Sequence, residues 1–464
     1  MKTALRPYLK KYVLLTFSSL LLRVYGQIYR LFLLRCFGTE PFGLLGMIFP
    51  FYRLLSLLIT MGLPTALVRL IAIEQAKKNI ARIRQAKKKV FTLVATMAAV
   101  VSGLLFLFAA PLGVLLYNDL RTGPLLKYYA LALIFHSLCL VYRGYYHGLD
   151  RISPLAFADL AETLGETVFI LLFLLAGPRP PLPVEAAGRI LAKGVLLGEA
   201  ACLGALFLYD RYRVRPQLIT TTTTAQPAAG RKLLPLLRSS FPFMAQQLIL
   251  SLARIAESVL LPNLLAKGGL TPSQIAHHLG EYWEMATPFL LFPLFLFSPV
   301  STLILPATAR ATVKNNLPDY LRKLRRLLSW ALLYSIGVGL FLLKFAQPLS
   351  LLLYKTTAAT RYLPYLLPAL PFMTMNSLLI PVAEGLGKQL FLLRATLILI
   401  FIKTGITAAF VPLPAFGLVG AAWGLTVSQA LLFCLLLKET FFPVTPNSKW
   451  FLLVKTNLLH LPKA

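Results

Sequence analysis

Three arginines stand in apolar stretches where a bilayer would leave a charge without water. Arg23 follows VLLTFSSLLL, Arg53 follows IFPFY, and Arg254 lies within LILSLARIAE. A charge at mid-bilayer costs at least about 2.5–3.5 kcal/mol on insertion scales, so such a residue faces a cavity or a partner. Out of water, a guanidinium can place parallel charge-assisted hydrogen bonds on a phosphate or carboxylate. Arg23, Arg53 and Arg254 are therefore the candidate anion-binding set. Arg30 lies seven residues from Arg23, on the same helical face. Arg35, Arg69, Arg143 and Arg394 lie close enough to span ends to snorkel to an interface.

Acids are few, which gives their placement weight. Asp159, Glu162 and Glu166 follow i, i+3, i+7 spacing and share one stripe of a helix, and Glu199 lies in the next apolar run. Three acids on one face exceed what one neutralising pair requires, so a proton or cation relay is one reading. Arg254 and Glu257 are i, i+3 neighbours; the pair reads equally as an internal ion pair that eases insertion or as part of a site. Glu162, Glu166 and Glu257 are the candidate ion-coupling residues.

Other chemistry leaves no trace. The sequence contains no G-x-x-x-x-G-K-[ST] phosphate loop and no H-E-x-x-H pair. His277-His278 is an adjacent pair that reads as solvated, outside the membrane. Cys36, Cys139, Cys202 and Cys434 are scattered singly in apolar runs, without metal or redox spacing. No catalytic residue, metal or cofactor is expected. The residues point to transport rather than catalysis.

The elements that must hold these side chains follow from composition. Of 464 residues 58% are apolar and only 14% charged, where soluble domains carry about 25% charged residues. Runs of about 20 apolar residues, the length that crosses a bilayer core, recur twelve times. They lie near 12–36, 43–72, 90–116, 128–148, 153–176, 189–210, 240–265, 282–307, 328–354, 362–384, 388–411 and 416–438. The N-terminal run lacks a small-residue cleavage site and reads as a retained first span rather than a signal peptide. The expected fold is all-α and polytopic.

The net charge of +31 comes from the loops. With the N-terminus inside, cytoplasmic segments carry 29 Lys and Arg and outer loops 7, which places both termini in the cytoplasm. This bias, with contact to anionic phospholipids, accounts for the charge without nucleic acid.

An internal repeat gives the layout. Phe49-Pro50 precedes Leu63-Pro64-Thr65-Ala66 as Phe292-Pro293 precedes Leu305-Pro306-Ala307-Thr308, and a basic loop follows each. His147-Gly148-Leu149 and Glu384-Gly385-Leu386 then close the fourth and tenth spans. Two six-helix lobes, 1–210 and 240–438, are expected about an axis along the membrane normal with a cavity between them. Residues 211–239 read as a cytoplasmic linker and 439–464 as a cytoplasmic or interfacial tail.

Several stretches resemble a known family. They are Arg23-Val-Tyr-Gly-Gln-Ile-Tyr-Arg30, Arg35-Cys-Phe-Gly38, Phe49-Pro-Phe-Tyr52, Gly62-Leu-Pro-Thr-Ala-Leu-Val-Arg-Leu-Ile-Ala72, Tyr145-Tyr-His-Gly-Leu149, Leu261-Pro-Asn-Leu-Leu-Ala-Lys-Gly-Gly269 and Met285-Ala-Thr-Pro288. Their order over spans one to ten is similar to that of the stage V sporulation protein B-like polysaccharide exporters. These belong to the multidrug/oligosaccharidyl-lipid/polysaccharide (MOP) flippase superfamily, which also contains lipid II flippases.

The resemblance implies a MATE-like two-lobed bundle that moves a lipid-linked sugar across a bacterial cytoplasmic membrane by alternating access, working as a monomer. It also implies cationic cavity residues for the pyrophosphate, with Arg23 the best match and Arg53 only approximately aligned. The chain departs from the lipid II flippases in two places. Their acid at the start of the second span has only Glu40 nearby, and Glu166 stands where relatives often carry a basic residue. An ion-coupled multidrug exporter of the same superfamily is the alternative, favoured by cavity acids. A non-transporting membrane scaffold is the third reading.

Overall fold

The computed structural model describes residues 24–76, 79–151, 153–177, 182–214, 233–313 and 316–441. Arg23, most of the expected linker and nearly all of the tail lie outside the described residues. Among the described residues the chain is helical with no strand. This follows from the solvent: in hydrocarbon every backbone N–H and C=O must be satisfied within its own segment, and a helix does so.

The first helix, α1, covers 24–37. It is followed by α2 (Glu40–Thr60), α3 (Leu63–Ala76), α4 (Ile80–Leu107), α5 (Ala109–Tyr117), α6 (Thr122–Gly148), α7 (Ser153–Ala176) and α8 (Val184–Tyr209). Then come α9 (Leu233–Lys267) and the short α10 (Pro272–Gly280). Later helices run over Ser298–Val313, Leu317–Tyr354, Ala369–Gly385, Gln389–Phe410 and Leu418–Phe441. Eight of the described helices are long and apolar enough to cross a membrane. The 24-residue α7 is not among the eight, because Asp159, Glu162 and Glu166 together fall within every 18-residue stretch of it.

Two expected spans are broken. Residues 43–72 divide into α2 and α3 at Met61-Gly62, where both φ angles are positive, 46° and 70°. The stretch 282–307 contains a π-helical turn, Glu281–Ala286, then Thr287–Leu291, a 3₁₀ turn over Phe292–Phe297, and a new helix from Ser298. Pro288 and Pro293 each withhold a backbone N–H, which interrupts the ladder there.

The chain packs as two compact units. The first is Met1–Phe289 with Lys344–Tyr365 and Thr404–Ala422; the second is Leu290–Leu343, Leu366–Lys403 and Trp423–Ala464. The expected lobes divided the chain at 211–239, whereas α9 packs on α2 and α3 within the first unit. Packing units and repeat halves are thus different divisions of this sequence.

The repeat landmarks have a steric basis. In the first unit a Cβ on Gly144 would lie 2.7 Å from the Pro64 carbonyl oxygen, and one on Gly148 would lie 2.8 Å from Ile71 Cβ. In the second unit a Cβ on Gly385 would lie 2.7 Å from Thr308 Cβ and 2.9 Å from the Leu305 oxygen. In each case the helix that ends in glycine presses directly on the helix that carries the Leu-Pro motif. Gly385→Val is expected to lower the melting temperature of the detergent-purified protein by several degrees, the overpacking term being about 1–3 kcal/mol. Gly337→Ala, whose new methyl meets nothing within 4 Å, leaves it unchanged or raises it.

Candidate functional site

Small residues set the site by letting α10 and the turn after it press onto α2. A Cβ on Gly43 would lie 1.8 Å from the Ala276 carbonyl oxygen, and one on Gly280 would lie 2.1 Å from the Thr39 oxygen. Only glycines allow backbones so near. Gly46 leaves the room that the Trp283 ring occupies, 2.7 Å from where its Cβ would stand. The N-terminal end of α2 is tied to the turn before α6 by Arg121, which bonds Asp119 at 2.7 Å and Glu40 at 2.6 Å. Ser273 donates to the same Glu40 oxygen at 2.5 Å. Glu40 is therefore a tie between helices.

The turn Glu281–Ala286 is wound as a π-helix, a form that recurs at functional positions. It buries two carboxylates, Glu281 and Glu284, at 4% and 5% exposure. Glu284 is paired with the Arg30 guanidinium of α1, which remains about half exposed. Both residues line a cavity of about 580 Å³ in the first unit. Its wall is otherwise formed by α1 and α2, Tyr129 of α6, Thr163 and Glu166 of α7, Leu191 and Val195 of α8, and Arg254, Glu257 and Ser258 of α9. Tyr29, Phe49 and Trp283 give it aromatic faces.

The expected site residues separate on this geometry. Arg254 lines the cavity, is exposed, and makes no ion pair among the described residues. It does not pair with its i+3 neighbour Glu257, which also lines the cavity and has a partner of its own. Arg53 does not line the cavity; it is exposed, with its guanidinium 5.1 Å from the Phe49 ring centroid. Arg23 lies outside the described residues.

The acid stripe of α7 also divides. Arg143 of α6 pairs with Asp159, and with Glu162 at 2.9 Å, so one cation holds both carboxylates. Glu166, one turn further on, lines the cavity instead, with no ion pair of its own but within the electrostatic reach of Arg30, Glu162 and Glu199. Glu199 is buried on α8, with His136 Nδ1 at 2.7 Å and the Tyr52 hydroxyl donating at 3.3 Å. Its second oxygen and His136 Nε2 are buried without hydrogen-bond partners among the described residues.

The spacing analysis singled out neither Arg30 nor Glu284 as a site residue. Glu284 had only its i, i+3 spacing from Glu281 as a signal, and that spacing names no cation, so the observed pairing with Arg30 reveals it. Arg30 had a signal, its shared face with Arg23. His278 is only partly solvated, since its Nδ1 accepts from Arg361 at 3.1 Å and meets the Tyr362 hydroxyl at 3.0 Å.

Comparison with known proteins gives this geometry a context. A family model described as polysaccharide biosynthesis protein matches residues 8–312. Stage V sporulation protein B of Bacillus subtilis is 26% identical over 455 residues, 96% of this chain and 85% of that protein. The sporulation protein YkvU of Bacillus subtilis is 21% identical over 394 residues, 83% of this chain and 84% of that protein. Among solved structures, an inward-facing multidrug resistance MATE family transporter of the MOP superfamily aligns with a TM-score of 0.68. It is 15% identical, over 90% of this chain and 94% of that one. A MOP superfamily transporter from Pyrococcus furiosus aligns with a TM-score of 0.55 at 15% identity, over 92% of this chain and 94% of that one. At such identity the structural likeness shows the fold alone: the all-α, multi-helix bundle of those two proteins.

The buried carboxylate makes the Arg30–Glu284 pair testable. Arg30→Gln leaves Glu284 buried without its cation and is expected to lower the melting temperature by several degrees. The loss is smaller than the about 3–5 kcal/mol of a fully buried broken pair, because Arg30 is half exposed. The double variant Arg30→Gln/Glu284→Gln should regain most of it, read by thermal unfolding in detergent.

Proposed function

The chain belongs to the polysaccharide biosynthesis protein family, and from that premise we propose that it is a flippase. Its cargo is an anionic lipid-linked saccharide, carried across the cytoplasmic membrane of a bacterium by alternating access. The observation that carries this reading is Arg254, a cation on the cavity wall without an ion pair among the described residues, in a cavity whose Tyr29, Phe49 and Trp283 rings suit sugar rings. A guanidinium there replaces the water lost by a diphosphate through charge-assisted hydrogen bonds. Arg23 completes the binding set in this reading, whereas Arg53, which does not line the cavity, drops out of it. The match to a polysaccharide biosynthesis family model supports a saccharide as the cargo.

Energetics need no nucleotide. Outward movement of roughly two negative charges through an inside-negative potential gains on the order of 4–5 kcal/mol per 100 mV. Loop charges place both termini inside, and the two repeat halves are the lobes that rock. Among the candidate coupling acids Glu166 is best placed, since Arg143 holds Glu162 and Glu257 has a partner already.

Glu166 also sustains a second reading. A cavity carboxylate without an ion pair suits an exporter of cationic compounds, with Glu166 as the cargo site. The two readings differ in purified vesicles. The flippase reading expects transfer of a fluorescent prenyl-diphosphate-saccharide between leaflets and no accumulation of a cationic dye. Arg254→Gln should slow the lipid transfer at least tenfold, and Glu166→Gln should leave transfer in place while flattening its dependence on the proton or sodium gradient. Dye accumulation without lipid transfer would overturn the flippase reading.

A further inference from the structure

The turn that places Glu284 in the first cavity places Glu281 in a second one. This second cavity, about 830 Å³, also lies in the first unit and lies against α1, the π-helical turn and residues 354–361. Three cations line it: Arg35, Lys355 and Arg361. Glu281 is the one carboxylate in its wall, joined there by His277 and by Thr356, Thr357 and Thr360. Arg30 in the first cavity and Arg35 in the second are five residues apart on α1, about 7.5 Å along the axis. The cavities therefore succeed one another along the same helix and the same turn.

Each cation has a structural duty to be weighed first. Arg35 donates to the carbonyl oxygens of Leu353 at 2.7 Å and Leu352 at 2.5 Å, which caps the C-terminus of the helix Leu317–Tyr354 and offsets its dipole. Arg361 Nη1 donates to Glu281 at 3.0 Å and to His278 Nδ1 at 3.1 Å. Only one guanidinium nitrogen is committed in these bonds, so the rest of its fork remains for a ligand. Lys355 has no duty of this kind. It follows the helix end with φ 58°, at a position where glycine is usual, and no ion pair or hydrogen bond engages its ammonium among the described residues. Arg35 already neutralises that helix end, so Lys355 is surplus to it.

Topology does not explain the cluster either. In the orientation that the loop charges favour, Lys355 and Arg361 are two of only seven basic residues in outer loops. The bias of membrane insertion keeps lysine and arginine on the other side. Their convergence with Arg35 in one cavity therefore calls for a ligand with negative charge.

A divalent metal fits worse. The ligand atoms of His277, His278 and Glu281 lie within 4.8 Å of one another. However, Arg361 occupies the place between Glu281 and His278 that an ion would take, and two further cations stand in the same wall.

We infer that this second cavity is a phosphate-binding site, taking the phosphate or diphosphate of a lipid headgroup or the free anion, with Lys355 and Arg361 as its binding cations. Its position beside the first cavity makes it a station for the charged group of the cargo, a role that rests on the flippase reading; the binding itself does not.

The test is calorimetric titration of the detergent-purified full chain with inorganic pyrophosphate. All measurements are made in an Arg254→Gln background, which removes the diphosphate cation of the first cavity. The expected result is saturable binding that Lys355→Gln and Arg361→Gln each weaken at least tenfold and that Lys267→Gln, at an exposed cation lining neither cavity, leaves unchanged. Arg361→Gln strips Glu281 of its partner and can impair folding; Lys355→Gln, which breaks no contact, decides the matter in that event. Binding that survives Lys355→Gln overturns the proposal, as does binding of zinc ion by the wild type that His277→Ala and His278→Ala abolish. Nanodiscs separate the sources of the anion. Tenfold weaker pyrophosphate binding in phosphatidylglycerol than in phosphatidylcholine identifies a lipid headgroup as occupant, and equal binding identifies the free or cargo phosphate. Lipid transfer without Lys355-dependent pyrophosphate binding overturns the second site alone, and Lys355-dependent binding without lipid transfer overturns the flippase reading alone.

Discussion

Glu281 and Glu284 are almost wholly buried on a single π-helical turn, and a carboxylate removed from water must find a cation close at hand. Each finds an arginine, Arg361 for the one and Arg30 for the other. Those two pairings fix where α1 and the segment after Tyr354 come to rest. Tyr354 adds a hydroxyl bond to the Met285 carbonyl at 3.3 Å, and Arg35 holds the end of the same helix. Each cavity thus receives one arginine, Arg30 or Arg361, through this one turn.

Such an arrangement needs a turn that can approach its neighbours closely. Gly43 and Gly46 of α2, with Gly280 at the end of α10, supply that approach, and the room at Gly46 is filled by the Trp283 ring. A methyl at Gly43 would collide with backbone, which cannot rotate away. The same device recurs at Gly148 and Gly385, where helix meets helix inside each unit. In a membrane, where apolar side chains gain little by leaving lipid, close contact of small residues is a main source of helix association. Glycine placement thus shapes both the scaffold and the cavity.

Charge is distributed by function along α7. Arg143 absorbs Asp159 and Glu162 on the side of α6, while Glu166 is left facing the cavity. One helix therefore carries two structurally paired acids and a cavity-lining acid on the same stripe. Glu199, held by His136 and Tyr52, continues the polar layer inward. A polar layer of this kind inside apolar helices is expensive to bury, which is why every member but Glu166 has an ionic or hydrogen-bonded partner.

The apolar runs announced an all-α membrane protein, since the length needed to cross hydrocarbon and the demand for backbone hydrogen bonds are local properties of a segment. The repeat of Leu-Pro and Gly-Leu landmarks was legible for a similar reason: the close approaches at Gly148 and Gly385 leave only glycine as an option. The motif stretches likewise marked the family that the match over residues 8–312 then showed. The site was less legible. Arg254 and Glu166 stood out as charges in apolar surroundings, but spacing left Arg254–Glu257 and Glu162 undivided between structure and function. Which cation met which acid was settled by helices distant in the chain: Arg143 took Glu162, Arg30 took Glu284, and Arg361 took Glu281. Ion pairing acts over a few ångströms in space, and no periodicity along one helix encodes which other helix will come that near.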